Sequence, residues 1–293
     1  MKVYVVVPVR NRKMITRRFL ECLSQQTYRN RETILIDDGS TDGTGDMVRA
    51  EFPEVTYLAG DGNLWWTGGV NKGLDYVLER ASDDDAILII NDDLEFDSDY
   101  LEILHRAFIA HQNAIVGSVV VDINDPERVH DGGRMINWWT AKNRLLNRGA
   151  NLRAFHECCL PVSTLTGRGV LFPVRVFRTV GLYDSLHFQH RGDTELPIRA
   201  KRAGYELLVC YDAVVRSHVD NTYAIDIARY YGFGDIGQYF FDLRSSGRIK
   251  FRYYFALKTM QNPIQFICYL LCDLCRVAVH FLRRFNPMAC ARG

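Results

Sequence analysis

Ala86-Ile87-Leu88-Ile89-Ile90 runs as an unbroken apolar row and then breaks into Asn91-Asp92-Asp93. A strand that alternates apolar and polar residues can keep one face in water. A row with no polar member has to be covered on both faces, as in a parallel sheet between two layers of helices. In open α/β sheets ligands gather at the carboxyl ends of the strands, and the acidic residues stand at that end. Hard divalent cations take oxygen ligands, usually one or two carboxylates together with substrate phosphates. A buried strand that delivers carboxylates to its mouth points to a metal–phosphate site, with a solvated acidic loop as the plain alternative.

The flanking sequence reads as the rest of such a sheet. Lys2 to Val9 forms a first buried strand, closed by Pro8-Val9-Arg10-Asn11-Arg12, and Ile15, Phe19, Cys22, Leu23 and Gln26 follow at helical spacing. Glu32 to Ile36 is a second strand. It ends in Asp37-Asp38-Gly39-Ser40-Thr41-Asp42-Gly43-Thr44, a turn that feeds a helix around Asp46 to Phe52. Val55 to Leu58 is a short third strand, Gly60 to Thr67 a loop carrying Trp65 and Trp66, and Gly68 to Ala81 a helix. After the carboxylate strand come a helix near Tyr100 to His111 and a strand Ala114 to Val121. This β–α alternation predicts a mostly parallel sheet with helices on both faces. Residues 122–160 read as a hairpin or loop excursion, Pro173 to Val180 and Asp193 to Ala203 as helices, and Leu207 to Val209 and Ala213 to Val215 as strands. The division expected is one α/β domain over 1–222 and a helical extension over 223–293.

Two acidic strand ends in one sheet favour a nucleotide crevice, because carboxylates there can accept hydrogen bonds from a ribose hydroxyl or a base. Asp37 and Asp38 are the candidates; a turn-forming Asp-Gly is the alternative. There is no GxGxxG and no GxxxxGK[ST] in the chain, so dinucleotide and Walker-type binding lack support. The 36 Lys and Arg nearly balance the 35 Asp and Glu, and no nucleic-acid partner is expected. The balance hides an asymmetry: from Arg244 onward there are nine Lys or Arg and one acid, Asp273. The extension, not the body, is suited to an anionic partner. The chain opens directly into a strand pattern without a leader, and its eight cysteines are read as free thiols of a reducing cytosol. Cys268, Cys272 and Cys275 give CxxxCxxC, an iron–sulfur spacing, but the same spacing lies on one helical face and reads as small apolar packing.

Five motifs, taken together, resemble glycosyltransferase family 2, and within it the rhamnosyltransferase-like bacterial enzymes. They are Pro8-Val9-Arg10-Asn11, Ile36 to Thr44, Gly62-Asn63-Leu64-Trp65-Trp66-Thr67-Gly68-Gly69-Val70-Asn71-Lys72-Gly73, Asn91-Asp92-Asp93, and a later block. The later block comprises Thr166 to Phe172, Val180 to Asp184 and Gly192 to Arg199. The resemblance covers roughly 3–222 and implies a GT-A fold that binds a nucleoside-diphosphate sugar with Mg²⁺ or Mn²⁺. It places Pro8, Arg10 and Asn11 beside the base, Asp37 and Asp38 at the base or ribose, and Asn63, Gly69 and Asn71 along the diphosphate-sugar loop. Trp66, with Trp65, would close over the sugar, core packing being the other reading. Asn91 and Asp92 occupy the start of the family's Asp-X-Asp position, and Asp93 keeps the metal-binding carboxylate. His218 would reach the metal or the diphosphate. Asp193 would be the inverting catalytic base, although Gly192 stands where the family usually has Glu; by spacing alone Asp193 equally suits a helix N-cap.

The function expected is an inverting, metal-dependent transfer of a sugar, rhamnose by the resemblance, to a hydroxyl of a glycan or lipid-linked acceptor. A sugar nucleotidyltransferase and a non-catalytic nucleotide-binding subunit are the other readings. The extension is apolar between Ile264 and Phe285, and its longest charge-free run, Thr259 to Cys272, is 14 residues, short for a span. Asp273, Arg276, His280, Arg283 and Arg284 fall on one helical stripe. That suits a helix lying on an anionic membrane surface, so the protein is expected in the cytoplasm, peripheral on the inner face of the membrane. A helix docked on the domain, or on a second subunit in a homodimer, is the alternative.

Overall fold

The computed structural model describes residues 1–112, 114–189, 192–218, 235–243 and 245–283. Four strands, β1 (Val3–Val9), β2 (Arg31–Asp37), β3 (Thr56–Ala59) and β4 (Ala86–Ile89), pair in parallel in the spatial order β3-β2-β1-β4. Val6 is opposite Ile34 on one side and Ile89 on the other, so β1 has no free edge. The acidic ends of β2 and β4 therefore emerge on the same side of the sheet, flanking Pro8 and Val9.

The apolar row of β4 is divided between two cores. Ala86, Leu88 and Ile90 pack with Phe19, Leu20 and Leu23 of α1 (Lys13–Ser24), Met47 and Val48 of α2 (Thr44–Glu51), and residues of α4 (Tyr100–Ala110). Ile87 and Ile89 pack on the other side with Val70, Leu74 and Val77 of α3 (Trp65–Leu78), and with α5 (Val174–Val180) and α6 (Glu195–Arg202). Alternate side chains of a strand point to opposite faces, so two covered faces account for a row with no polar member. The fold class is as the alternation predicts.

Beyond β4 the sheet becomes mixed. β5 (Leu94–Glu95), β6 (Ala114–Asp122), β7 (Asp125–Asp131), β8 (Arg134–Ile136), β9 (Asn143–Leu145), β10 (Cys159–Pro161), β11 (Val170–Pro173) and β12 (Glu206–Ser217) complete the strands among the described residues. β11 lies antiparallel between β4 and β6, and β12 is parallel to β6. The two short strands expected near 207 and 213 are one strand, β12, interrupted by a bulge between Cys210 and Val214. The segment 122–160 holds a hairpin, as expected: β7 folds back on β6, and β8 pairs with β9.

Two local readings change. Ile15 is 46% exposed, because α1 turns Thr16, Phe19, Leu20 and Leu23 inward. The buried place goes to Thr16, whose hydroxyl has a polar partner described below. The tryptophan loop is shorter than expected, since Trp65 and Trp66 already form the first turn of α3.

The described residues form two compact units: Met1–Met135 with Leu145–His218, and Ile136–Arg144 with the described residues beyond His218. The boundary expected near 222 lies outside the described residues. In the second unit, helices α7 (Ile236–Phe241), α8 (Ile249–Thr259) and α9 (Pro263–Arg283) pack together. Tyr239 meets Phe281 at 4.9 Å between ring centroids, and Arg252 pairs with Asp273 at 2.6 Å. Arg276 donates to the carbonyls of Thr140 and Ala141. The polar stripe of α9 thus turns partly inward. Its outward stripe is Ile264, Ile267, Leu271, Val279 and Leu282, each 46% exposed or more. The span Pro263–Leu282 is long and apolar enough to cross a bilayer by length and composition alone. Cys268, Cys272 and Cys275 are free thiols on this helix. Arg284 and Cys290 lie outside the described residues.

Candidate active site

The acids at the two strand ends are committed to different tasks. Asp37 is buried, its Oδ1 accepting from the Ser40 amide at 2.9 Å and its Oδ2 from the Tyr57 hydroxyl at 2.8 Å. Asp38 is also buried. Oδ1 accepts from the amides of Gly62 (2.9 Å) and Leu64 (3.1 Å), and Oδ2 from that of Trp65 (3.0 Å). This carboxylate therefore satisfies amides at the start of α3 that have no partner within the helix. Arg10 reaches the same loop: Nη1 donates to the Gly62 carbonyl and lies 3.7 Å from Asp38 Oδ2. Asn11, at φ +50°, accepts from the Thr41 amide at 2.7 Å and fixes the turn after β2. Pro8 sits under α3, where a Cβ on Gly69 would come within 3.1 Å of the Pro8 Cβ. Asn63 is exposed, its amide bonded to Asp61.

At the end of β4 the three polar residues point to three different partners. Asn91 Oδ1 accepts from the Trp66 indole at 2.8 Å. Asp92, 3% exposed, accepts from the Thr16 hydroxyl at 2.8 Å and from Arg12 Nη1 at 3.1 Å. Burial pushes its carboxyl above the ordinary carboxylate range, against the pull of Arg12 and Thr16. Asp93 is more open, and its Oδ2 is 3.4 Å from the same Arg12 nitrogen. Burial works to lower the Arg12 guanidinium, but the two acids outweigh it and hold the group above its usual value. Arg12 and Thr16 carry no motif, and the sequence reading passes over them; only the crossing of α1 beneath β4 brings them to Asp92.

Asp193 is not a helix cap. It lies in a single 3₁₀ turn, Gly192–Thr194, ahead of α6, and Thr194 takes the cap position. Asp193 Oδ2 accepts from the Gly167 amide at 3.1 Å. Gly167 in turn is pressed against Trp66, whose Cζ2 would lie 2.5 Å from a Cβ there. Trp66 meets Tyr183 edge-on at 5.6 Å. Burial, then the charges of Asp193 and Glu195, push the Tyr183 phenol well above its usual value. The loop carrying Tyr183 is held by Asn71, which donates to the Tyr183 carbonyl (2.8 Å) and accepts from its amide (3.1 Å). Glu195, a buried acid at the start of α6, is paired bidentately with Arg199. The absence of Glu before Asp193 has a steric cause: a Cβ on Gly192 would lie 2.4 Å from Thr67 Oγ1. The structure thus gathers Asn91, Trp66 and Asp193 into one chain of contacts, with Asn71 behind it.

His218 follows the end of β12. There β5 pairs antiparallel, with Arg216 opposite Glu95 and Ser217 opposite Leu94. The next step of that register falls at His218 and Asp93. The His218 Nε2 is 3.9 Å from Glu95 Oε1. Among the described residues no group of three or more His, Cys, Asp or Glu side chains is arranged to hold a metal. Asp93 and His218 offer two donors, and a cation there would complete its shell from a diphosphate and water, the usual coordination of Mg²⁺ at phosphates.

A mixed sheet that presents polar residues at the ends of β1, β2 and β4, with an acid on a facing turn, is the architecture of the GT-A glycosyltransferases. Solved structures of this class superpose on the chain. TarS of S. aureus (residues 1–349) gives a TM-score of 0.58 at 13% identity, over 98% of this chain and 74% of that one. The mannosyltransferase PcManGT of Pyrobaculum calidifontis, solved with GDP-Man and Mn²⁺, gives 0.59 at 16% identity, over 100% and 76%. The model of glycosyl transferase family 2 matches residues 4–181. The chain belongs to that family and is a glycosyltransferase. Among curated relatives it is 27% identical, over 226 residues, to the N-acetylglucosaminyl-diphospho-decaprenol L-rhamnosyltransferase of Mycobacterium tuberculosis, covering 69% of this chain and 71% of that one. It is 29% identical over 130 residues to glycosyltransferase GlyA of Streptococcus pneumoniae serotype 4, covering 43% and 18%.

Two outcomes follow from the packing. Arg12→Met leaves the sealed Asp92 charge without its cation and should cost roughly 1–3 kcal/mol. A carboxyl whose folded pKa is raised contributes stability at low pH and loses it as pH rises through that pKa. The deficit of the variant, read by urea unfolding, should therefore grow from about pH 4 to pH 7; a pH-independent deficit would refute the pairing. Gly192→Glu, which restores the usual family residue, should lower Tm because Thr67 occupies the space; an unchanged Tm would show that the turn can open.

Proposed function

We propose that the protein is an inverting glycosyltransferase that moves a sugar from a nucleoside-diphosphate donor to a hydroxyl of a glycan or lipid-linked acceptor in cell-surface polysaccharide synthesis. The likeness to the mycobacterial enzyme favours rhamnose as the sugar. The observation that carries the reading is the bond from the Gly167 amide to Asp193, which ties this carboxylate to Trp66 and, through it, to Asn91 at the end of β4.

The donor's nucleoside end lies along Pro8, Arg10, Asn11 and the loop that Asp38 clamps. Its diphosphate faces the strand ends, between Asn63 and Asp93. Asp93 and His218 would hold a divalent cation, Mg²⁺ or Mn²⁺, which when bound offsets charge on the leaving diphosphate. Trp66, oriented by Asn91, packs beside the sugar and excludes water from its face. Asp193 accepts the proton of the acceptor hydroxyl while that oxygen forms its bond to the anomeric carbon. On the opposite face the bond to the diphosphate oxygen breaks, and the nucleoside diphosphate leaves with the electron pair. The Gly167 amide keeps one lone pair of the base occupied and so aims the other oxygen.

The same reading places the protein in the cytoplasm, on the inner face of the membrane. The outward stripe of α9 is apolar, with Tyr253 and Leu257 of α8 also exposed, and the extension is basic. An apolar face on a basic extension suits an anionic lipid surface.

Asp193→Asn should lower turnover by about 10²–10⁴-fold while calorimetry finds donor affinity unchanged; a parallel loss of donor binding would make Asp193 a structural residue. Asp93→Asn should abolish both transfer and Mn²⁺ binding measured by titration, with Tm preserved, and normal Mn²⁺ affinity in this variant would move the metal elsewhere. The full chain should co-sediment with phosphatidylglycerol vesicles, and Ile267→Glu/Leu271→Glu/Val279→Glu should remain in the supernatant. A wild type that ignores the vesicles and forms a dimer which the triple variant dissolves would assign the stripe to a subunit contact.

A further inference from the structure

The end of β7 and the turn that follows it bring basic residues to the acceptor side of Asp193. Residues 128–134 are laddered on two sides. Arg134 bridges Thr164 antiparallel, with Ser163 donating to the Arg134 carbonyl at 2.8 Å, so the loop Thr164–Gly169 lies alongside. On the other flank Leu146 donates to Gly133, Gly149 to Val129, and Val129 to Ala150. His130 lies within the middle segment, Arg168 in the loop on one flank and Arg148 on the other. Arg168 follows directly on Gly167, whose amide holds the Asp193 carboxylate.

The guanidinium groups of Arg148 and Arg168 have no hydrogen bond or ion pair among the described residues, unlike Arg134, which lies 3.8 Å from Asp131. Asp131, a buried acid on the same strand as His130, is already engaged by the Gly133 amide at 2.9 Å. Two permanently charged guanidinium groups thus lie within electrostatic reach of His130 without a counter-charge of their own, one of them on the residue after Gly167. Such an arrangement disfavours a neutral ligand's having to leave them unpaired and favours one that supplies oxyanions.

We propose that Arg148 and Arg168, with His130 between them, form a binding subsite for a phosphate or diphosphate group carried by the acceptor. This deepens the transferase reading and rests on it: the acceptor class becomes a phosphorylated lipid carrier or sugar phosphate in place of a neutral glycan. Arginine forks match phosphate oxygens two at a time, and anchoring the anion next to Gly167 sets the acceptor hydroxyl within reach of Asp193. His130 fits this arrangement, since burial and then the charges of Arg148 and Arg168 hold its imidazole below the ordinary value.

The test uses the full chain and geranyl diphosphate as probe, with geraniol as its neutral counterpart. EDTA is present so that metal-dependent binding at the donor side does not contribute. Wild type should bind the diphosphate and not the alcohol. Arg148→Gln/Arg168→Gln should weaken that binding by about tenfold or more with Tm unchanged, whereas Arg80→Gln, at the far end of α3, should not. Equal binding by wild type and the double variant, or equal binding of the two probes, would overturn the subsite. Donor binding is titrated separately, with nucleoside-diphosphate sugars and Mn²⁺. Failure there would sink the transferase reading and leave the outcome for the anion subsite standing on its own.

Discussion

Asp38 sits at the end of β2 with both oxygens turned away from water and toward the backbone of the next loop. Three amide bonds to one ionised carboxylate are each of the charge-assisted kind, worth roughly 1.5–3 kcal/mol where the acceptor is charged. They fix where α3 begins. Because α3 begins at Trp65, Trp66 stands in the first turn, and its indole can reach Asn91 on β4. From that contact the packing runs on to Gly167, and the Gly167 amide sets Asp193. A carboxylate at the end of β2 is thus linked, contact by contact, to the geometry in which Asp193 is held.

The acids at the strand ends divide by solvent access. Asp37, Asp38 and Asp92 are sealed and serve the fold, each satisfied by amides, hydroxyls or Arg12. Asn91, Asp93 and Asp193 keep atoms at the surface of the site. A buried charge that lost its partner would be costly, so the sealed acids act as fixed points. Arg12 joins the two groups, since one guanidinium nitrogen serves both Asp92 and Asp93.

The second unit uses a different balance. On α9 the buried stripe includes Gln265, Tyr269, Val277 and Phe281, while Ile264, Ile267, Leu271, Val279 and Leu282 face outward. A helix in water would pair such a buried stripe with a polar outer face. Asp273 and Arg276, the charges that would keep the outer face wet, are drawn in to Arg252 and to the carbonyls of Thr140 and Ala141. The inward polar contacts leave the apolar stripe as the exposed one.

The sequence by itself pointed to the sheet, because Ala86 to Ile90 has no polar residue and reads as a strand covered on both faces. It also determined which segments carry the site, since apolar runs that end in Asp, Asn and Gly mark strand mouths whatever surrounds them. Local pattern could not say which acid of a pair turns inward. Asp37, Asp38, Asp92 and Asp93 look alike in a one-dimensional reading, and their fates depend on Tyr57, Arg12 and Thr16, which are brought in by helix crossings and parallel pairing. Asp193 was legible as a helix start, but its bond to Gly167 spans 26 residues and exists only once β11 has been inserted between β4 and β6. Tertiary structure alone decided these matters, because hydrogen-bond partners at long range are fixed by which surfaces pack, and packing depends on the whole chain rather than on a window of it.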